Sequence, residues 1–207
     1  MVFDVDGCLL DSAEGIVAGY QHALHSVEFP VPSEQVLRSD LGPPVGILFS
    51  SLGVPEEDHE RAVAAYRRFY AETGLHQAKV YPDVLELLDE LSARGVVLAT
   101  ATAKLTPVAE AILDRHGLAG HFAVVNGTDG THHTKTETLN HTLERLGNPD
   151  RSGVLMLGDR HSDVAAAQAC GVGSVAVTWG YGTLDELSAT GADHLVDNPA
   201  EVLALLG

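Results

Sequence analysis

Residues 1–12 read Met1-Val2-Phe3-Asp4-Val5-Asp6-Gly7-Cys8-Leu9-Leu10-Asp11-Ser12, and no other stretch constrains the chain as tightly. Met1 to Val5 is apolar apart from Asp4, and so short a hydrophobic run reads as a buried parallel strand. Asp4 and Asp6 fall where that strand should end, and strand side chains two residues apart point the same way. Gly7 releases the backbone into a tight turn that exposes its N–H groups. Burying two like charges together is costly unless a cation or hydrogen-bond donors compensate. A lone D-x-D is usually a strand-end Asp followed by an Asx turn. Three clusters further along weigh against that reading here.

Outward from this stretch, Ser12 to about Lys79 reads as mostly helical, with no strand expected. Pro55 followed by Glu56, Glu57 and Asp58 opens a helix with acids at its positive end. Val63, Tyr66 and Tyr70 share a face of it, and Gly74 stops it. Gly42-Pro43-Pro44 forms a stiff loop between helices. From Asp83 onward strands and helices alternate. A helix from Asp83 to Arg94 is followed by a strand over Val96 to Thr102. Thr106 caps a helix that has Pro107 in its first turn and runs through His116. Ala123 to Gly127 is a strand, Leu139, Leu143 and Leu146 mark a helix, and a strand starts at Val154. A helix from Ser162 to Cys170, a strand from Ser174, a helix near Leu184 to Thr190 and a short strand over His194 to Val196 complete the pattern. This alternation predicts an α/β fold: a doubly wound, Rossmann-like parallel sheet with helices on both faces. The helical stretch interrupts it after the first strand. The expected domains are therefore an α/β core from residues 1–13 and 80–207 and an inserted α-helical domain, 14–79.

The 207 residues are 45% hydrophobic and 20% charged, a globular composition. Twelve Lys and Arg against 29 Asp and Glu leave a net charge of −17, a field that repels nucleic acid and anionic membrane. Any bound phosphate needs a local reversal of that field by a metal ion or a placed lysine. Cys8 and Cys170 have no metal-ligand spacing and read as free thiols, which fits a cytoplasmic setting. No apolar run approaches a membrane span. Because the chain starts almost on its first strand, a few further residues are expected upstream.

In doubly wound sheets ligands bind outside the carboxyl ends of the strands. Three such ends besides the first are polar in a particular way: Thr102-Ala103-Lys104, the loop His132-His133-Thr134-Lys135, and Gly158-Asp159-Arg160-His161-Ser162-Asp163. Each is weak alone. Together they place a hydroxyl, an ammonium and four carboxylates at one rim of one sheet.

With FDVDG, Thr102, Lys135 and GDRHSD in this order, the chain resembles the haloacid dehalogenase superfamily of phosphohydrolases, motif by motif and along its whole length. LGPPV, GLHQAKVYPDV, DGTHHTK and VTWGYGTLDEL are similar to the branch containing phosphoglycolate phosphatases and bacterial 5′-nucleotidases. The resemblance implies a phosphatase with a helical cap domain after the first motif. Two residues depart from the family pattern: Cys8 stands where threonine is usual, and Ala103 where serine or asparagine is common.

The chemistry follows from the residues themselves. Asp4, first on the strand, is the candidate nucleophile, forming an aspartyl-phosphate. Asp6 in an acid-crowded site can protonate the leaving oxygen and then deprotonate water. Mg²⁺ prefers oxygen ligands, and Asp4, Asp159, the Asp6 carbonyl and Asp163 provide them. Thr102, Lys135 and the backbone N–H groups of Gly7, Cys8 and Ala103 would hold the phosphoryl oxygens. His132, His133 and His161 read as solvated, because the carboxylates already supply acid and base. The expected partner is a small phosphate ester, with no nucleic acid and no membrane, and the protein a monomer or homodimer. A phosphoryl transferase of the β-phosphoglucomutase kind and a catalytically weak phosphate-binding protein are the rivals. A dehalogenase needs neither the second acid nor the metal ligands. A response-regulator receiver needs no large insertion after its first strand. Between a 5′-nucleotide and phosphoglycolate as substrate, the acidic composition tilts the reading towards the nucleotide, since glycolate needs a basic group near its carboxylate.

Overall fold

The computed structural model describes residues 1–129 and 134–206, so His132 and His133 lie outside the described residues. The chain divides into two compact units, Met1–Leu10 with Val80–Gly207, and Asp11–Lys79.

The first unit is built on a six-stranded parallel sheet. Its strands are β1 (Val2–Phe3), β4 (Leu98–Thr100), β5 (Phe122–Val124), β6 (Leu155–Gly158), β7 (Gly173–Val177) and β8 (His194–Val196), in the order β5-β4-β1-β6-β7-β8. Its helices are α5 (Val84–Ala93), α6 (Thr106–Arg115), α7 (Lys135–Arg145), α8 (His161–Cys170), α9 (Leu184–Ser188) and α10 (Pro199–Ala204). The strand order reverses at β1, which pairs β4 through Val2↔Ala99 and β6 through Val2↔Met156. That reversal opens a crevice at the carboxyl ends of β4, β1 and β6, where doubly wound folds hold ligands. Val2, Ala99, Ala101 and Met156 line one face and pack with Leu139 and Leu143 of α7 and Ala166 and Ala167 of α8. α10, absent from the sequence pattern read above, packs with α5.

The strands are shorter than their apolar runs. The Val96–Thr102 run yields only Leu98–Thr100, because β1 offers two residues to pair and the β4–β5 register shifts between Leu98 and Ala99. Thr106 is not a cap but the first helical residue of α6, and its Oγ1 accepts the Gly127 N–H at 3.1 Å. α7 begins with a capping box in which Thr134 and Glu137 bond reciprocally.

The second unit holds α1 (Ala13–Ser26), α2 (Glu34–Ser39), α3 (Val45–Ser51) and α4 (Glu56–Glu72). α4 starts just after Pro55 with three acids in its first turn and ends before Gly74, as its caps dictate. α1 packs on α4 through a stack of Tyr20 on Tyr66 (centroids 5.3 Å apart), continued by Tyr70. Gly19 in α1 permits this, since a Cβ there would come within 2.9 Å of the Tyr66 ring. Gly42, with φ +116°, and Pro43-Pro44 connect α2 to α3. Where the chain passes between the units, β2 (Leu10–Asp11) and β3 (Lys79–Val80) form a two-stranded sheet. No strand was expected at Lys79. No helix among the described residues is long and apolar enough to cross a membrane.

Candidate active site

Asp4 leaves β1 at the reversal point, buried, with its N–H donated to the Leu157 carbonyl and its Oδ1 accepting the Val5 N–H at 2.7 Å. The turn after it is tied by the Gly7 N–H to the Leu10 carbonyl. That N–H is therefore committed within the turn. Gly7 (φ +81°) supplies room instead, since a Cβ there would run into the Asp159 carboxylate. Cys8 is buried in the same turn, its thiol pushed well up by burial and then by Asp4, while its carbonyl accepts the Trp179 Nε1–H at 3.0 Å.

Asp159 and Asp163 arrive from the end of β6 and the first turn of α8. Gly158 is required between them and the sheet, because a Cβ there would overlap the Asp163 side chain. Asp4, Asp159 and Asp163 each offer an oxygen within 4.8 Å of the others, all three buried. Lys135, at the start of α7, enters this cluster from the other side. Its Nζ lies 2.9 Å from Asp4 Oδ2, 2.9 Å from Asp163 Oδ1 and 3.2 Å from the Ala101 carbonyl. Burial draws the Lys135 ammonium down, but Asp163 and Asp4 reverse this and hold it above its ordinary value.

One ammonium does not neutralise three buried carboxylates. Burial pushes Asp4 up to about 6 against the pull of Lys135, and Asp159 well above its usual range with Asp163 and Asp4 adding to it. Asp159 Oδ2 accepts the Tyr181 N–H at 2.6 Å, yet its Oδ1 is buried with no hydrogen-bond partner. An orphaned carboxylate oxygen in an all-oxygen, over-negative cluster fits a hard divalent cation. The three aspartates can therefore hold a metal ion.

Thr102 and Ala103 follow β4 as expected, and Thr102 is buried. What positions them was not legible beforehand. Thr100 Oγ1 exchanges hydrogen bonds with the Asn126 backbone, Asn126 Nδ2 donates to Thr142 Oγ1 at 2.9 Å, and Thr142 Oγ1 donates to the Thr100 carbonyl at 3.0 Å. This buried network fastens α7, and so Lys135, to the end of β4.

Two further groups escaped the sequence reading. Asp6 is not surrounded by carboxylates only: Lys104 Nζ stands 2.6 Å from its Oδ2. Lys104 was quoted beside Thr102 but given no role, because a lysine after a strand is ordinarily solvated. The Gly180-Tyr181-Gly182 loop wraps Asp159, where a Cβ at either glycine would collide with Asp159 or the Gly7 carbonyl. Two glycines flanking a residue beyond a strand end were the available signal. His161 stays outside the cluster, exposed, with Nδ1 2.8 Å from Glu186 Oε1. Glu186 is held at about 2: burial opposes this, but bonds from the His161 N–H and ring and from Arg160 outweigh it.

Comparison with known proteins agrees with the architecture. The model of the haloacid dehalogenase-like hydrolase family matches residues 1–177. A Mycobacterium tuberculosis protein named tyrosine-protein kinase PtkA is 38% identical over 192 residues, 92% of this chain, which spans only 65% of that relative's length. A phosphoglycolate phosphatase from Vibrio parahaemolyticus is 30% identical over 217 residues, covering 100% of this chain and 95% of its own. The crystal structure of a predicted phosphatase from Clostridium acetobutylicum superimposes with a TM-score of 0.93 at 32% identity, covering 99% of this chain and 96% of that one.

Proposed function

Because the chain belongs to the haloacid dehalogenase-like hydrolase family, we propose that it is a Mg²⁺-dependent phosphomonoesterase acting on small phosphate esters through an aspartyl-phosphate. The observation that carries this reading is Lys135 bridging Asp4 and Asp163 beside the orphaned oxygen of Asp159.

Asp4, held by Lys135 and the Val5 N–H, attacks phosphorus, and the ester oxygen leaves. Asp6 gives that oxygen its proton and then takes one from the water that hydrolyses the acyl phosphate. Lys135, Thr102 and the Ala103 N–H bind the phosphoryl oxygens and offset the charge that develops on them. Mg²⁺, bound by Asp4, Asp159, Asp163 and the Asp6 carbonyl, would neutralise the cluster and orient the phosphoryl group. Cys8 and Ala103 supply backbone groups only, so neither departure from the family pattern removes a step. In this reading the helical unit is a cap domain that limits substrates to small esters, with the Gly42-Pro43-Pro44 loop the candidate for reading the leaving group.

The test is turnover of a generic aryl phosphate by purified protein. EDTA should abolish phosphate release and Mg²⁺ restore it. Asp4→Asn should remove both turnover, by at least about 10⁴-fold, and any trapped phosphoenzyme. Full activity in EDTA, or normal turnover by Asp4→Asn, overturns the reading. A transferase, the reading that the name of the mycobacterial relative would favour, would share the phosphoenzyme but pass the group to a second alcohol or a tyrosine. Release of one inorganic phosphate per ester cleaved marks hydrolysis.

A further inference from the structure

Asp159 and Asp163 each commit one carboxylate oxygen to a backbone N–H. The Tyr181 N–H donates to Asp159 Oδ2 at 2.6 Å, and the Arg160 N–H donates to Asp163 Oδ2 at 3.1 Å. The second oxygen of each stays with the cluster, Asp163 Oδ1 beside Lys135 and Asp159 Oδ1 buried without a hydrogen-bond partner. One side chain ties the two donor segments together. Glu186 Oε1 accepts the His161 N–H at 2.9 Å and the Arg160 Nε–H at 3.0 Å, and lies 2.8 Å from His161 Nδ1. Glu186 belongs to α9, which starts directly after the Tyr181-Gly182-Thr183 segment, and its own N–H donates to Thr183 Oγ1 at 3.1 Å.

The start of α8 has a physical need for this carboxylate. The first N–H groups of a helix have no partner within it, and the residue ahead of the helix usually accepts from one of them. Here that residue is Arg160, whose guanidinium has donors only. Glu186 supplies the missing acceptor from another helix, together with a negative charge at the positive end of α8. The remaining packing between α8 and α9 acts further along. Leu187 packs with Val164 and Ala176, and Gln168 Nε2 donates to the Thr190 and Gly191 carbonyls at 3.2 and 3.3 Å. Those contacts keep α9 docked without Glu186, whereas the segment from Asp159 to Asp163 depends on it.

We propose that Glu186 is a positioning residue for the cation: by holding Arg160 and His161 it fixes the Asp159–Asp163 segment so that both carboxylates turn an oxygen to one point. This rests on the metal-binding part of the phosphatase reading above. Glu186 acts through its two neighbours and is not itself a ligand. Partners that orient metal-binding side chains in this way set affinity for the ion, because a ligand already in place loses less freedom on binding. Asp4, Asp6 and Lys135 come from other elements, so the chemical step does not depend on Glu186 once the ion is bound.

The experiment titrates Mg²⁺ into metal-free wild type, Glu186→Gln and Glu186→Ala by isothermal titration calorimetry, with circular dichroism in EDTA to follow the fold. Glu186→Ala should keep its helical signal and raise the Kd for Mg²⁺ by about 10–100-fold. Glu186→Gln, whose amide oxygen still accepts the His161 N–H, should bind Mg²⁺ much closer to wild type. At saturating Mg²⁺, kcat of Glu186→Ala for an aryl phosphate should return to within about twofold of wild type. An unchanged Kd in Glu186→Ala overturns the proposal. So does an equal loss in Glu186→Gln, since only the removal of a negative charge would then be acting. A kcat that stays low at saturating Mg²⁺, or a lost helical signal in Glu186→Ala, overturns it as well. Wild type that binds no Mg²⁺ would sink the metal reading itself, and this proposal with it.

Discussion

In the helical unit the buried side chains are apolar or aromatic. Leu24, Leu37, Leu48 and Phe49 are fully or nearly fully enclosed, three tyrosines stack, and Ser12 is the only other polar residue buried among those described. The α/β unit buries Asp4, Thr100, Thr102, Asn126, Thr138, Thr142, Asp159, Asp163 and Ser174. Apolar burial stabilises in proportion to area, whereas buried charge opposes folding unless partnered. The two interiors therefore do different work. One holds its unit together, and the other keeps a reactive cluster in place at some expense of stability.

The largest test of this contrast lies in the helical unit. Phe49→Ala should lower its stability by about 3–5 kcal/mol, read by denaturant unfolding followed through helical circular dichroism. A loss below about 1 kcal/mol would mean that apolar packing is not what holds this unit.

The second test reverses the sign. In EDTA, Asp159→Asn should raise the melting free energy by roughly 1–3 kcal/mol, because an amide can still accept the Tyr181 N–H while its NH₂ faces the carboxylates as a donor. With saturating Mg²⁺ the wild type should become the more stable, by ligand linkage. The pH dependence has a definite direction. Asp4 titrates near 6 folded against 3.8 unfolded, so between these values the folded state binds more protons. Metal-free stability should therefore fall as pH rises through that window. A metal-free Asp159→Asn less stable than wild type would break the comparison.

The smallest effect sharpens it. Thr142→Val removes the hydroxyl between Asn126 and the Thr100 carbonyl and should cost about 0.5–1.5 kcal/mol. It should also raise KM for any phosphate ester, since the same network fixes α7 and Lys135. Lost stability with an unchanged KM would mean that Lys135 is placed by its carboxylates alone.

Much of this was readable in the chain because it rests on local rules. Short apolar runs, apolar residues at helical spacing, Pro55 before α4 and glycines after helices located most elements. The acids at residues 4, 6, 159 and 163, with Thr102 and Lys135, could be named because each sits at a strand end or a helix start. α10 was passed over although Asn198 caps it and Pro199 opens it, and Thr106 was misplaced by one position because its hydroxyl bonds across to Gly127 rather than along its own helix.

The sequence by itself determined the α/β alternation, the insertion after the first strand and the set of carboxylates at the rim. Only the tertiary structure decided which charges meet. Lys104 is separated from Asp6 by 98 residues, Tyr181 from Asp159 by 22, and Asn126 from Thr142 by 16. Patterns of spacing report on neighbours along one helix or strand. An ion pair formed across the reversal of a parallel sheet depends on strand order and register, and these are fixed by packing of the whole core.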